Sequence, residues 1–376
     1  MAKSLEFYKG KRKKRDLTII PMVIIVTIIT AVVVLFYSMQ KYAVITKDDV
    51  SVVMPFMQKD EETADGPGGE AKTFEKVDAK LSFANPDYSA IEATAGKGVP
   101  ELRAIFVPWD EVNKDKLTEY AGRLNSGNAL VLEMKPREGV LLWNTGAEMA
   151  YAYALSGETE KTIEVESTIA GLKEQGVYLV AQISCCIDKM LCSSSATVTL
   201  KNSLGTVYTD DNGMWLDPYN QGVRNYVVDL ANELYDIGFD EVVLADVMHP
   251  GLEEEETVYY TRQMSTPQSP VNAVCGFAVY VAEQLADRPG YLSIYCDSAV
   301  SLVKDDTATG QNAVLFMKLF DRVYYRTDKY AYTFNLDDIK GNVKIGKAND
   351  RLVPVVENYL PENTTWVYIE TEEDES

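Results

Sequence analysis

The sequence predicts an α/β fold, a (β/α)8 TIM barrel at residues 99–370 that follows one N-terminal transmembrane helix. Three observations lead to this prediction. Short β-rich runs alternate with segments of helical periodicity, which is typical of α/β barrels. The unit from Trp215 to Pro250 contains a strand that is apolar on both faces, as in a buried parallel sheet. A chain of 376 residues also has room for one barrel of about 250 residues and additional segments.

The helix–strand unit from Trp215 to Pro250 is the clearest part of the pattern. Asp217-Pro218 is typical of a helix start, because aspartate caps a helix and proline fits its first turn. Apolar residues then recur at helical spacing, and Gly238 is the expected residue just past the helix. The strand Val242 to Ala245 follows and ends at Asp246. Barrel enzymes carry catalytic groups at the carboxyl ends of their strands, so Asp246 is a candidate site residue.

The other elements continue the alternation. The predicted strands are residues 102–107, 129–135, 177–183, 242–245, 291–296, 321–325, 352–356 and 365–369. The predicted helices include 163–174, 271–286 and 312–318, with another around Leu117 to Leu124. The Ser- and Thr-rich segment 185–214 is an expected insertion, with a hairpin that pairs 196–200 with 206–208. The last connection, 357–364, is too short for an ordinary helix, so we expect irregularity at the last βα units.

The N-terminal part of the chain has a different organisation. Residues 17–37 are apolar and uncharged over a length that can cross a bilayer. The basic segment 1–16 precedes them, and the positive-inside rule places such a segment in the cytoplasm. We therefore expect a single-pass membrane anchor with an extracytoplasmic barrel. Residues 38–98 are expected to form a stalk, extended and without a partner strand over 42–57, and then an acidic solvated linker. Residues 371–376 are an expected acidic tail.

Charge and composition restrict the function classes. The formal net charge of −21 argues against nucleic acid or anionic lipid as a partner of the barrel, because like charges repel. His249 is the single histidine and the cysteines lack metal-ligand spacing, so no metal site and no cofactor are predicted. The five cysteines are predicted to be buried and free. A bridge between Cys186 and Cys192 is the alternative.

The central unit also resembles a known family. The matching residues are Trp215, Asp217, Pro218, Tyr219, Gly238, Phe239, Asp240, Glu241 and Pro250. They resemble the segments W-x-D-P-Y and G-F-D-E-I-x-F-D-Y-x-R-x-P of a bacterial family of glycoside hydrolase-like TIM barrels of otherwise unknown function. The resemblance covers roughly residues 102–370 and is strongest at 215–250. It implies a hydrolase that acts on an envelope or extracellular polysaccharide.

The chain departs from this family pattern at the expected site. Counting back from Pro250, the family's strand-end aspartate falls on Ala245 and its arginine on Met248. Gln182 stands where the family has another arginine. Asp246 is one residue late, which turns its side chain to the other face of the strand unless a bulge restores the phase. The alternative hypothesis is therefore a catalytically degenerate barrel that binds a glycan or an envelope partner.

Glycoside hydrolysis requires two carboxyl groups, separated by about 5 Å in retaining enzymes and by about 6.5–9.5 Å in inverting enzymes. Glu133, Asp246 and Asp297 end three predicted strands and are expected at one rim, with Asp246 and Asp297 as the best-placed pair. The family carries D-x-K at Glu133 and Lys135, and we expect an ionised Glu133 that binds a sugar hydroxyl or orients a partner. The candidate substrate-binding residues are Lys135, Gln182, Trp109, Trp143 and Trp215. Aromatic faces stack on sugars, and packing or helix capping is the alternative role of these aromatic and acidic residues.

Overall fold

A computed structural model gives the structure of the chain. It describes residues 43–45, 50–52, 91, 98–124, 128–155, 159–252, 256–261, 269–296, 308–326, 351–357 and 365–370. The chain divides into two compact units, residues 1–81 and 82–376. In the first unit, β1 (Ala43–Ile45) pairs antiparallel with β2 (Val50–Val52). The prediction that residues 42–57 have no partner strand is therefore wrong, because two short β-branched runs within that segment pair with each other.

Several predicted segments lie outside the described residues. They are the basic segment 1–16, the transmembrane helix 17–37, the acidic linker, the connection 358–364 and the tail 371–376. In the part of the chain that is described, no helix combines the length and the apolar character needed to cross a membrane.

The second unit contains a closed parallel barrel. The strands of this unit, in chain order, are β3 (Arg103–Val107), β4 (Ala129–Lys135), β5 (Tyr178–Ser184), β6 (Thr209–Asp210), β7 (Gly213–Met214), β8 (Glu241–Ala245), β9 (Tyr291–Cys296), β10 (Arg322–Arg326), β11 (Leu352–Glu357) and β12 (Trp366–Ile369). Strands β6 and β7 form a separate two-stranded sheet. Within the described residues, eight of these strands pair in parallel in chain order, omitting β6 and β7, and β12 pairs with β3 to close the ring. The predicted eight-stranded α/β barrel is confirmed.

Helices alternate with these strands. They are α1 (Lys114–Gly122), α2 (Glu148–Ala152), α3 (Glu160–Glu174), α4 (Lys189–Ser194), α5 (Gln221–Ile237), α6 (Pro270–Gln284) and α7 (Ala313–Leu319). The outward faces of the strands pack against them in one large apolar cluster. The inward faces form a second cluster of mostly small residues, namely Leu102, Ala104, Ala129, Val131, Val180, Val243, Tyr324, Val353, Val355 and Val367. Strand alternation continues this inward series to Glu133 on β4 and Ser184 on β5.

Helix α5 begins later than the sequence predicts. Asn220, and not Asp217, caps it, and the Asn220 side chain accepts hydrogen bonds from two backbone N–H groups of the first turn. Asp217 instead accepts from the backbone N–H of Tyr219 at 2.8 Å, and from the N–H and hydroxyl of Thr261 at 2.7 and 2.6 Å. Asp217 therefore ties a neighbouring loop to the helix entry. Gly238 ends the helix with φ 122°, as predicted.

The insertion between β5 and β8 differs from its prediction. Residues Ala196–Val198, predicted as a strand, form a 3-10 helix. The Ser195 side chain accepts a hydrogen bond from the Thr197 N–H and so caps this turn. Of the predicted hairpin pairing, the structure has an antiparallel bridge between Lys201 and Val207. The short antiparallel strands β6 and β7 lie further along the chain. The predicted hairpin is therefore wrong in its first strand.

The amino end of the barrel holds a buried polar network. Glu241, the first residue of β8, forms an ion pair with Arg322 of β10, and both side chains are 0% exposed. Three hydroxyls also donate to the Glu241 carboxylate: Ser293 at 2.6 Å, Tyr324 at 2.8 Å and Tyr178 at 2.9 Å. Every oxygen of this buried carboxylate therefore has donors, which is the condition for keeping a charge inside a core.

Candidate active site

Asp246 follows β8 directly at the carboxyl end of the barrel. It is 4% exposed, and its backbone has a φ of 53°. This left-handed conformation costs a non-glycine residue about 1–2 kcal/mol, although aspartate adopts it more readily than most residues. The left-handed backbone at Asp246 interrupts the alternation of inward and outward side chains along β8. The Asp246 side chain therefore does not point outward to the helices, as regular alternation would require. The carboxylate instead accepts a hydrogen bond from the Ser184 hydroxyl at 2.6 Å.

Arg137, in the loop after β4, covers the carboxylate of Asp246. Its Nη2 donates to Oδ1 at 2.5 Å, and its Nε lies 3.0 and 3.1 Å from Oδ1 and Oδ2. Its Nη1 donates to Asn212 Oδ1 at 3.3 Å. The side chain of Arg137 is 39% exposed and that of Asp246 only 6%. The guanidinium therefore lies on the solvent side of a nearly buried acid.

Glu133 lies in the inward series of β4, where its Oε2 accepts the backbone N–H of Trp109 at 3.2 Å. Burial raises the pKa of Glu133 to about 7, and the negative charges of Glu138 and Asp246 add to the rise. The hydrogen bond from Trp109 and the positive charge of Arg137 act in the opposite direction. Glu133 is therefore partly protonated at neutral pH, in contrast to the ionised carboxylate that the sequence predicts.

Lys135 does not lie beside Glu133. A register shift in the pairing of β4 with β5 falls between the two residues. Lys135 is 1% exposed, and its Nζ pairs with Asp188 Oδ2 at 2.9 Å and donates to the Ser184 carbonyl at 2.7 Å. Because Asp188 also caps α4, this buried pair joins the end of β4 to that helix. Lys135 is thus buried and engaged in an ion pair, in contrast to the substrate contact that the sequence predicts.

The three tryptophans predicted to bind sugar occupy different environments. Trp109 is half-buried at the end of β3, and its backbone contacts Glu133. Trp143 is 1% exposed, and its indole N–H donates to Glu233 of α5 at 2.8 Å. Trp215 is fully buried. The burial of Trp143 and Trp215 favours the packing role that was the alternative to sugar stacking.

Gln182 and Asp297 complete the predicted set. Gln182 is half-buried, and its Cα partners on the adjacent strands are Glu133 and Val243, so it belongs to the same inward layer. Asp297 follows β9 and lies outside the described residues. The barrel therefore brings Glu133, Gln182 and Asp246 to one end. Sequence reasoning missed three residues that join them, Arg137, Glu138 and Ser184; their position at or just after the ends of β4 and β5 was the available signal.

The sequence also led to expectations for the cysteines and for His249. Cys185, Cys186 and Cys192 are buried free thiols, so the alternative of a Cys186–Cys192 bridge is wrong. Burial raises the pKa of Cys186 and of Cys192 to about 12. His249 is 2% exposed, and burial lowers its pKa. Among the described residues, no group of three or more His, Cys, Asp or Glu side chains could hold a metal ion.

A family model described as "Putative glycosyl hydrolase domain" matches residues 104–325. The chain belongs to this family. The match runs from β3 to β10 and contains Glu133, Arg137 and Asp246. The resemblance read from the central unit is confirmed. No curated protein matches the chain.

Solved structures with a similar fold include three bacterial proteins. A hypothetical protein from Ruminiclostridium thermocellum is 21% identical, with a TM-score of 0.44, 50% of this chain covered and 96% of that chain. The glycoside hydrolase domain of PgaB (BpsB) from Bordetella bronchiseptica is 13% identical, with a TM-score of 0.48 and coverages of 72% and 94%. The glycoside hydrolase domain of PelA from Pseudomonas aeruginosa is 15% identical, with a TM-score of 0.38 and coverages of 70% and 85%. Similarity at this level supports no conclusion on activity.

Proposed function

We propose that this protein hydrolyses glycosidic bonds at the carboxyl end of its barrel, with Glu133 as the proton donor. The observation that carries the proposal is the pKa of Glu133, about 7, in the inward layer near Asp246. A general acid is most effective when its pKa is close to the working pH. Glycosidases use one carboxyl that is kept protonated and a second that is ionised. Membership of the family supports the same reaction class.

In this reaction Glu133 transfers its proton to the glycosidic oxygen while the bond from that oxygen to the anomeric carbon breaks. The negative charge of Asp246 stabilises the positive charge that develops on the sugar ring. A water molecule then adds its hydroxyl to the anomeric carbon, and its remaining proton returns to Glu133. Asp297, after the neighbouring strand, is a further proposed carboxylate of the site, and Gln182 and Trp109 are proposed sugar contacts.

We also propose that the substrate is an envelope or extracellular polysaccharide and that residues 17–37 anchor the protein in the cell membrane. The support is the uncharged apolar run and the basic segment that precedes it. Protease added to intact cells is expected to digest a tag at the C terminus. Protection of the tag until the membrane is permeabilised would contradict an extracytoplasmic barrel.

The activity is tested by incubating the full chain with a panel of envelope and plant polysaccharides, beside the variants Glu133→Gln and Asp246→Asn. We expect sugar release by the wild type and a loss of at least about 100-fold in each variant. Asparagine tolerates a left-handed backbone, so Asp246→Asn removes the charge while keeping the conformation. Glycan that binds to the wild type without any release would contradict hydrolysis.

A second candidate function is glycan binding without cleavage. The observation that favours it is the engagement of Asp246, whose two oxygens are occupied by Arg137 and Ser184 and whose side chain is 6% exposed. Ala245 and Met248, where the family pattern has polar residues, are both 7% exposed. Equal glycan affinity of the wild type and Glu133→Gln, with no sugar released by either, is the result expected of a binding module.

A further inference from the structure

We propose that Arg137 is the positioning residue of Asp246, holding its carboxylate at the barrel mouth from the loop after β4. The inference rests on the proposed function of this end of the barrel. Its geometric basis is the set of three contacts, at 2.5, 3.0 and 3.1 Å, between the guanidinium and the two carboxylate oxygens. Charge-assisted contacts of this forked type fix direction as well as distance.

Asp246 requires such a partner because of its backbone. Its φ of 53° lies in the left-handed region, where the surrounding contacts must hold a side chain that has left the strand alternation. Ser184 donates one hydrogen bond at 2.6 Å, from the end of the adjacent strand. The other hydrogen bonds described for the Asp246 carboxylate come from Arg137, in the loop that follows β4. The carboxylate of Asp246 is therefore held between β5 and the loop after β4.

Arg137 is itself held in place. Its Nη1 donates to Asn212, which lies in the turn between β6 and β7. The guanidinium thus connects the loop after β4, the insertion and the end of β8. With 39% of its side chain exposed, Arg137 lies where a substrate enters, whereas Asp246 is 6% exposed. A lysine could replace the charge of Arg137, but its ammonium is a point donor without the planar fork.

Arg137 also acts on the proton donor. Three charged groups have a marked effect on the pKa of Glu133: the acids Glu138 and Asp246 and the positive Arg137. Its charge lowers the pKa of Glu133 against the rise caused by burial and by the two acids. Removal of Arg137 should therefore keep Glu133 protonated to higher pH. A residue with a packing role alone would not change this titration.

The test compares Arg137→Ala, Arg137→Lys and a matched control, Arg103→Ala, in the full chain. Arg103 also pairs with an acid, Glu101, but at the amino end of β3, with 42% and 56% of the two side chains exposed. The readouts are the carbon-13 NMR titration of the Glu133 carboxyl, assigned by its loss in Glu133→Gln, and the pH dependence of kcat and KM. Wild type and control are expected to coincide.

In Arg137→Ala the titration midpoint of Glu133 and the alkaline limb of the rate profile should both move to higher pH. We expect kcat to fall by at least about tenfold, as for loss of a charged hydrogen bond. Arg137→Lys should restore the midpoint, because it restores the charge, while kcat stays low. The combination of a normal Glu133 midpoint and a low kcat in Arg137→Lys tests the proposal even if Arg137→Ala does not fold.

Two results would overturn the proposal. One is a Glu133 midpoint and a kcat that match the wild type in Arg137→Ala. The other is a rise in KM alone, in Arg137→Ala or Arg137→Lys, which would make Arg137 a substrate contact. If the wild type releases no sugar from any glycan, the proposed hydrolase function fails, while the NMR titration still decides whether Arg137 controls the charge of Glu133.

Discussion

An acid–arginine pair lies at each end of strand β8, and the two pairs differ in the exposure of the arginine, in the number of hydroxyl donors and in backbone conformation. At the amino end, Glu241 and Arg322 are both 0% exposed, and three hydroxyls complete the coordination of the carboxylate. At the carboxyl end, Asp246 is held by an arginine that is 39% exposed and by a single hydroxyl. The first pair lies on regular strand, whereas Asp246 has a left-handed backbone.

The difference favours a structural role for the first pair and agrees with the functional role that we propose for the second. A fully surrounded carboxylate such as Glu241 has no direction from which a ligand can approach, and its charge is satisfied within the core. Asp246 faces an arginine that solvent reaches, and Glu133 in the same region has a pKa raised to about 7. The left-handed backbone of Asp246 and an acid whose pKa lies near neutrality favour the carboxyl end as the proposed reactive end.

The largest effect is expected at the amino end. Glu241→Gln leaves the charge of Arg322 buried without its counter-ion, which should lower the free energy of unfolding by about 3–5 kcal/mol. Urea denaturation of wild type and variant measures it, with Arg103→Ala as the exposed control. A loss below about 1 kcal/mol would remove the structural role assigned to the pair.

The next prediction separates burial from location. Lys135 and Asp188 form a pair that is 1% and 0% exposed, but near the carboxyl end. If burial decides the cost, Lys135→Met should lower the free energy of unfolding by about 3 kcal/mol, since it leaves Asp188 without its cation. The same denaturation experiment measures it. If Lys135→Met lowered the free energy of unfolding as little as Arg103→Ala does, the position of a pair in the barrel would matter more than its burial.

A pH-dependent effect is expected for Glu133. Its folded pKa, about 7, is above the value of an unfolded glutamate, so the wild type loses stability as pH rises from about 4.5 to about 7. The loss amounts to at most about 3 kcal/mol. Glu133→Gln does not titrate and should gain stability relative to the wild type over this window. Melting temperatures at pH 4.5 and 8 measure the difference, which should be absent if Glu133 titrates normally.

The smallest change in stability is expected at the candidate site itself. Asp246→Asn should alter the free energy of unfolding by about 1 kcal/mol, because Arg137 can turn to solvent when its partner loses its charge. Sugar release should nevertheless disappear. A loss of stability as large as that of Glu241→Gln would mean that Asp246, too, is a structural residue.

Much of the barrel could be predicted because strand signals are local. The predicted bounds 129–135 and 291–296 agree with β4 and β9, since β-branched and apolar runs between turn residues identify buried strands without tertiary information. The predictions failed where two signals competed. Asp217 is a residue type that commonly caps helices, but one of its carboxylate oxygens accepts hydrogen bonds from Thr261, and Asn220 caps the helix instead.

The sequence by itself determined the order of the strands, the family and the presence of acids at strand ends, because these follow from periodicity and from short motifs. Only the tertiary structure decided what the acids do. The left-handed turn at Asp246, the fork from Arg137 and the raised pKa of Glu133 all depend on residues that are distant in sequence. Charges act through space and burial, and a sequence pattern specifies neither until the barrel closes.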